Sequence, residues 1–117
     1  MNVIIRRMKV AVLVDDMIFR SRIAAVAREC GATAVFCSSP EAAPEDTDLI
    51  LVDLEASPHA VDDIAALKTA RSTRIVAYVS HVQVELKRRA LEAGADSVLA
   101  RSAFVQTLPE LLGRASG

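Results

Sequence analysis

Asp15, Asp16 and Asp53 are the residues whose type and spacing could do chemistry. Each follows a short apolar run, residues 10–14 for the first two and 49–52 for the third. Carboxylates brought together at neighbouring strand ends repel one another and lose hydration unless a counter-charge is present. A divalent cation answers that need. Magnesium prefers oxygen ligands, keeps several waters, and is usually held by one or two carboxylates together with phosphate oxygens. Such a site assists phosphoryl transfer to a carboxylate by neutralising charge on the moving group. The plainer reading gives the acids local work, with Asp15 or Asp16 capping a helix and Asp53 closing a strand. Three acids at two adjacent strand ends exceed what caps require, which favours the cation.

The elements that must position these acids are legible as an alternation. Residues 9–14 read as a buried, valine-rich strand ending on Asp15 and Asp16. Phe19, Ile23, Val26, Ala27 and Cys30 then recur at helical spacing, and Gly31 stands where a left-handed cap closes a helix. A second strand is expected at 33–37 and a third at 48–52, ending at Asp53. Between them Pro40 and Pro44 leave room for about one helical turn. Apolar surface exposed by so thin a crossover is a candidate site for a homodimer or another partner. Val61, Ile64, Ala65 and Leu67 mark a further helix, 74–79 a fourth strand, and Leu86, Ala90 and Ala93 a helix stopped by Gly94. A short strand at 97–100 precedes a last helix carrying Phe104, Leu108, Leu111 and Leu112. Pro109 inside that pattern predicts a kink, or a helix that begins only near Leu108.

Strands alternating with helices imply parallel neighbours joined by right-handed crossovers. The expected fold is α/β, a flavodoxin-like doubly wound five-stranded parallel sheet in the order 2-1-3-4-5 with a shortened second helix. The first and last helices belong on one face, and the helices after the third and fourth strands on the other. Ligands of such sheets gather beyond the carboxyl ends of the strands where the winding reverses, here between strands one and three. The three aspartates fall there.

Composition narrows the classes. The 117 residues fit one domain, expected at 9–112, with an extension at 1–8 and a tail at 113–117. A net charge of −1, from 14 basic and 15 acidic residues, argues against nucleic acid and against an anionic membrane surface. The longest apolar run has five residues, far below the roughly 20 of a spanning helix. The start does not read as a secretory signal, since its arginines follow the apolar stretch, so the expected location is the cytoplasm. Cys30 and Cys37 lack metal-ligand spacing and read as buried thiols. His59 and His81 read as loop residues, and Lys87, Arg88 and Arg89 as a solvated helix face.

Across roughly residues 9–112 the pattern resembles the receiver domains of bacterial response regulators. VLVDD at 12–16 is similar to that family's acidic pair, LILVD at 49–53 to its phosphoacceptor strand, and ALEAGAD at 90–96 to its fourth helix and the entry to strand five. The resemblance implies that Asp53 accepts a phosphoryl group from a histidine kinase or phosphotransfer protein, and that Asp15, Asp16 and Asp53 hold weakly bound magnesium. It also implies output through contact with a downstream protein, with no output domain on this chain.

The departures fall on the switch. The family's hydroxyl residue at the end of strand four aligns with Val79, and Ser80 supplies that hydroxyl only if the register slips by one, which reverses the strand's faces. The family lysine aligns with Arg101, its cis-proline with Ser102, and its switch aromatic with Val98. Arginine keeps the charge but replaces a compact ammonium with a planar fork. These departures favour a second reading, a degenerate receiver acting as a phosphorylation-independent interaction module. An enzyme such as a small phosphatase has the carboxylates but no evident nucleophile or substrate pocket. A nucleotide-binding protein needs a glycine-rich turn where Asp15 and Asp16 stand.

Overall fold

The computed structural model describes residues 7–81 and 83–113. In chain order the elements are β1 (Lys9–Leu13), α1 (Met17–Cys30), β2 (Thr33–Phe36), a 3₁₀ turn (Pro40–Ala42), β3 (Leu49–Asp53), α2 (Ala60–Ala70), β4 (Arg74–Val79), α3 (Val84–Ala93), β5 (Ser97–Ala100) and α4 (Arg101–Gly113). The strands form one sheet in the order β2-β1-β3-β4-β5, and every neighbouring pair is parallel. The expected topology holds. Of the expected extension and tail, only Arg7, Met8 and Gly113 are among the described residues; Met8 is buried, and its carbonyl accepts from Thr33 N at 2.8 Å.

The pleat sends alternate residues of the central strands to opposite cores. Ala11, Ile50, Val52, Ile75, Ala77 and Val79 pack with Ile64 and Leu67 of α2 and Ala90 of α3. Val10, Val12, Leu49, Leu51, Val76 and Tyr78 pack with Ile23 of α1 and with Phe104, Leu108 and Leu112 of α4. The helices thus divide between the faces as their apolar stripes predict. Fully burying one such aliphatic side chain stabilises the fold by about 1.5–3 kcal/mol.

Helix ends follow local chemistry. Asp16 caps α1 by accepting from Ile18 N at 2.8 Å and Phe19 N at 3.2 Å. Gly31 closes the same helix at φ 75°, in the left-handed region. The last helix differs from one of its expected forms. It starts at Arg101, directly after β5, and runs through Pro109 without beginning again at Leu108. Leu108, Leu111 and Leu112 are buried on both sides of the proline, so packing sustains the helix past the missing N–H.

The crossover from β2 to β3 contains one short turn, as the two prolines predict. It does not leave the expected apolar surface. Ala43 is buried, and Arg71 at the end of α2 straps the segment down, donating to Pro44 O at 2.7 Å and Ala43 O at 3.2 Å. The large apolar residues exposed among the described ones lie elsewhere, at Met17 and Ile18 on α1 and at Val84 and Leu91 on α3.

Candidate functional site

Asp53 closes β3 and is only 6% exposed. Its Oδ1 accepts the backbone N–H of Glu55 at 2.8 Å. Burial is the main influence on its acidity and raises the pKa above the usual carboxylate range. The Glu55 N–H and the charge of Arg101 act against that rise, while the charge of Glu55 adds to it. The position therefore holds a carboxylate with less compensation than its burial calls for.

Asp15 and Asp53 border one small cavity of about 60 Å³, together with Cys37, Ser38, Ser57 and Asp63. Asp16 lies just beyond, with Oδ1 committed to the cap of α1. Among the described residues no three acidic, histidine or cysteine side chains gather as they would around a metal ion, and Asp16 is not among the residues that line the cavity. The physical reason is that the exposed N–H groups opening α1 hold Asp16. The pair on the cavity still suits a hard cation, since Asp15 and the under-compensated Asp53 offer oxygens and a magnesium ion needs only one or two carboxylates.

Around Asp53 the remaining predicted residues are placed as follows. Arg101 opens α4 with its guanidinium carbon 5.1 Å from the centre of the Phe19 ring, and its charge acts on both Asp53 and Glu55. Val79 ends β4 in register with Ala100. Ser80 lies past the strand, and its N–H and hydroxyl both bond Glu55 Oε1, the former at 2.7 Å. Its hydroxyl is thus turned to Glu55 and not to Asp53. Val98 is buried opposite Ala77 and fills the core beside α2 and α3. Ser102 is the second residue of α4.

Outside the acids, the bland readings hold. His59 is exposed and 3.9 Å from Asp62, and His81 is exposed near Glu55. Arg88 bridges Glu85 and Glu92 on the surface of α3, the latter at 2.7 Å. Cys30 and Cys37 are both free thiols, with Cys37 buried and Cys30 partly so.

Two residues that sequence reading did not single out stand in the site, Glu55 and Tyr78. Tyr78 is the strand partner of Asp53 and is fully buried, with its hydroxyl near the Asp53 carboxyl. The available signal is faint: it is the only tyrosine of the chain, two positions before Ser80.

Solved structures share this fold. A response regulator from Thermotoga maritima matches with a TM-score of 0.78 at 16% identity, over 94% of this chain and 98% of that one. A two-component response regulator from Clostridium difficile matches with a TM-score of 0.81 at 16% identity, over 93% and 95%. The chain has the receiver-domain fold. A response regulator from Burkholderia pseudomallei, solved with a phosphorylated aspartic acid, a calcium ion and citrate, matches with a TM-score of 0.75 at 22% identity over 95% and 69%. No protein-family model and no curated protein matches the sequence. On the receiver fold, the ends of β1 and β3 carry Asp15, Asp16 and Asp53, while the ends of β4 and β5 carry Val79 and Arg101. Among the described residues no helix is long and apolar enough to cross a membrane.

Proposed function

We propose that this chain is an atypical receiver module of two-component signalling in which Asp53 accepts a phosphoryl group. The observation that carries the reading is Asp53 itself, a buried carboxylate at a strand end that shares a cavity with Asp15 and feels the charge of Arg101. The donor is a phosphohistidine on a histidine kinase or phosphotransfer protein. The P–N bond breaks and its electron pair returns to the imidazole, while a P–O bond forms to an Asp53 oxygen, leaving an acyl phosphate. Asp15 and Asp53, with Asp16 beside them, would hold magnesium, which supplies neutralisation of phosphoryl charge when bound. Arg101 adds a fixed positive charge on the side of α4.

The consequence is contact with a downstream protein in the cytoplasm, or with a second copy of the chain. Labelling is slow and moves β4 and β5 little, since Val79 has no hydroxyl and Val98 no ring to reorient, and a ligand shifts an equilibrium only by its differential affinity for two states. Those two valines also favour a second reading, an interaction module that works without phosphorylation. Incubation with magnesium and acetyl phosphate, followed by intact mass, distinguishes the two. A single added phosphoryl group that Asp53→Asn abolishes supports the first reading; an unmodified chain supports the second.

A further inference from the structure

Among the described residues, two buried side-chain polar atoms have no hydrogen-bond partner, Tyr78 Oη and Arg101 Nε. Both belong to residues that act on the charge of Asp53. Buried donors are almost always bonded, because a donor stripped of water and left alone is costly. Tyr78 faces Asp53 across the ladder, and Arg101 lies over the Phe19 ring that meets Tyr78, so the two orphans belong to one cluster beside the acid and point to a partner that arrives with the anion.

Tyr78 is built to stay where it is. Asp53 and Tyr78 are paired across β3 and β4, and paired residues of a parallel ladder project to the same side of the sheet. The Tyr78 ring stacks on Phe104 with centroids 4.4 Å apart and meets Phe19 at 5.1 Å. Phe19 in turn lies under the Arg101 guanidinium. Tyrosine, phenylalanine and arginine thus form one stack beside the acid. The hydroxyl is close enough to Asp53 to favour its charged form, yet no hydrogen bond of normal geometry joins them. A tyrosine hydroxyl carries its proton at neutral pH and is therefore a donor. Val79, by contrast, projects into the opposite core with α2 and α3.

We propose that Tyr78 Oη and Arg101 Nε are the donor pair that binds the oxygens of the phosphoryl group on Asp53, so that an aromatic hydroxyl one residue earlier replaces the aliphatic hydroxyl that β4 lacks at Val79. This rests on Asp53 being the phosphoacceptor. Tyr78 gives up no proton; it donates one hydrogen bond, while transfer to Asp53 proceeds as above. The receptor is thereby moved to the α1 and α4 face, where Phe19 and Phe104 feel any shift of the ring.

The chain has one tyrosine and no tryptophan, so near-ultraviolet absorption and tyrosine emission report on this position alone. The full chain is incubated with magnesium and acetyl phosphate, and labelling by intact mass is followed together with the tyrosine spectrum. The wild-type spectrum should shift in step with labelling. Tyr78→Phe, which keeps the ring stack, should label about tenfold more slowly, the scale of one hydrogen bond to a charged group, while its melting temperature does not fall. Equal labelling rates with a spectrum that stays fixed would overturn the role of Tyr78 and leave Asp53 as phosphoacceptor. A wild-type chain that takes no label would remove both.

Discussion

Glu55 accepts both the backbone N–H and the hydroxyl of Ser80, joining the segment after β3 to the segment after β4 next to Asp53. The Ser80 bonds hold the Glu55 carboxyl below its usual range, so it stays charged, and that charge pushes Asp53 upward. Glu55→Gln keeps an acceptor for Ser80 and removes the charge. Its expected effect is a lower Asp53 pKa, read by carbon-13 NMR of the side-chain carboxyls. Glu55→Ala also removes the acceptor, and the Ser80 amide should then exchange about tenfold faster, as suits one lost bond. An unchanged exchange rate would mean that the link is not made in solution.

The raised pKa of Asp53 sets the sign of a stability effect. A carboxyl more basic in the folded than in the unfolded chain makes the native state bind more protons between the two values, so stability falls as pH rises through that window. At neutral pH Asp53 therefore opposes folding. Asp53→Asn should stabilise the protein at pH 7 by roughly 1 kcal/mol, a common size for a single substitution, and raise the melting temperature by a few degrees. The difference should shrink as pH falls below the ordinary aspartate range. Thermal melts of both proteins across pH test this, and a destabilised Asp53→Asn at pH 7 would contradict it.

Asp96 behaves in the opposite sense. Its largest influence is burial, which disfavours the charge, but the N–H of Ile75 at 2.8 Å and Lys68 Nζ at 3.1 Å outweigh it, and the pKa lies below the usual range. A depressed carboxyl stabilises above its unfolded pKa and loses that contribution as pH falls through the folded value. Asp96→Ala should cost about 1 kcal/mol at neutral pH, less than the roughly 1.5–3 kcal/mol of a charge-assisted bond, because the side chain is 45% exposed. In acid the variant and the wild type should converge. Denaturant titrations at two pH values give the comparison.

Gly94 and Gly31 both have positive φ, at 126° and 75°, but only Gly94 is crowded. A Cβ there would stand 2.5 Å from Lys68 Cγ and 2.7 Å from Lys68 Cβ, whereas at Gly31 nothing lies within 4 Å. Gly31→Ala should cost about 1 kcal/mol from backbone strain alone. Gly94→Ala should cost about 2 kcal/mol or more and also loosen the Lys68 contact with Asp96. Equal melting temperatures for the two variants would refute the clash.

Much of the fold was legible because its signals are local and repeat along the chain. The bounds of β4 and β5 coincide with the expected ones, those of β1 and β2 differ by one residue at the C-terminal end, and β3 is displaced by one residue at both ends. Gly31, Gly94 and the proline pair mark turns through backbone chemistry that depends on no distant contact. Pro109 was harder, since its tolerance comes from leucines buried by other elements. The acids at the strand ends were legible by type, but the commitment of Asp16 to the α1 cap and the turn of Ser80 toward Glu55 are choices between partners that only the assembled molecule offers. Tyr78 shows the same limit: strand periodicity assigns it to a face, but its neighbours Phe19 and Phe104 come from the first and last helices.

The thin crossover also bears on how the molecule breathes. β2 is an edge strand with no fully buried residue, and the segment after it is fastened to α2 by the Arg71 guanidinium. The inner strands β3 and β4 are buried almost throughout. Opening free energies across a domain range from near zero at such margins to the global value in the core. Cys37 and Ser38 follow β2 directly and line the cavity shared by Asp15 and Asp53. A sub-global opening that lifts β2 would thus carry away one wall of the acid site while its floor stays folded.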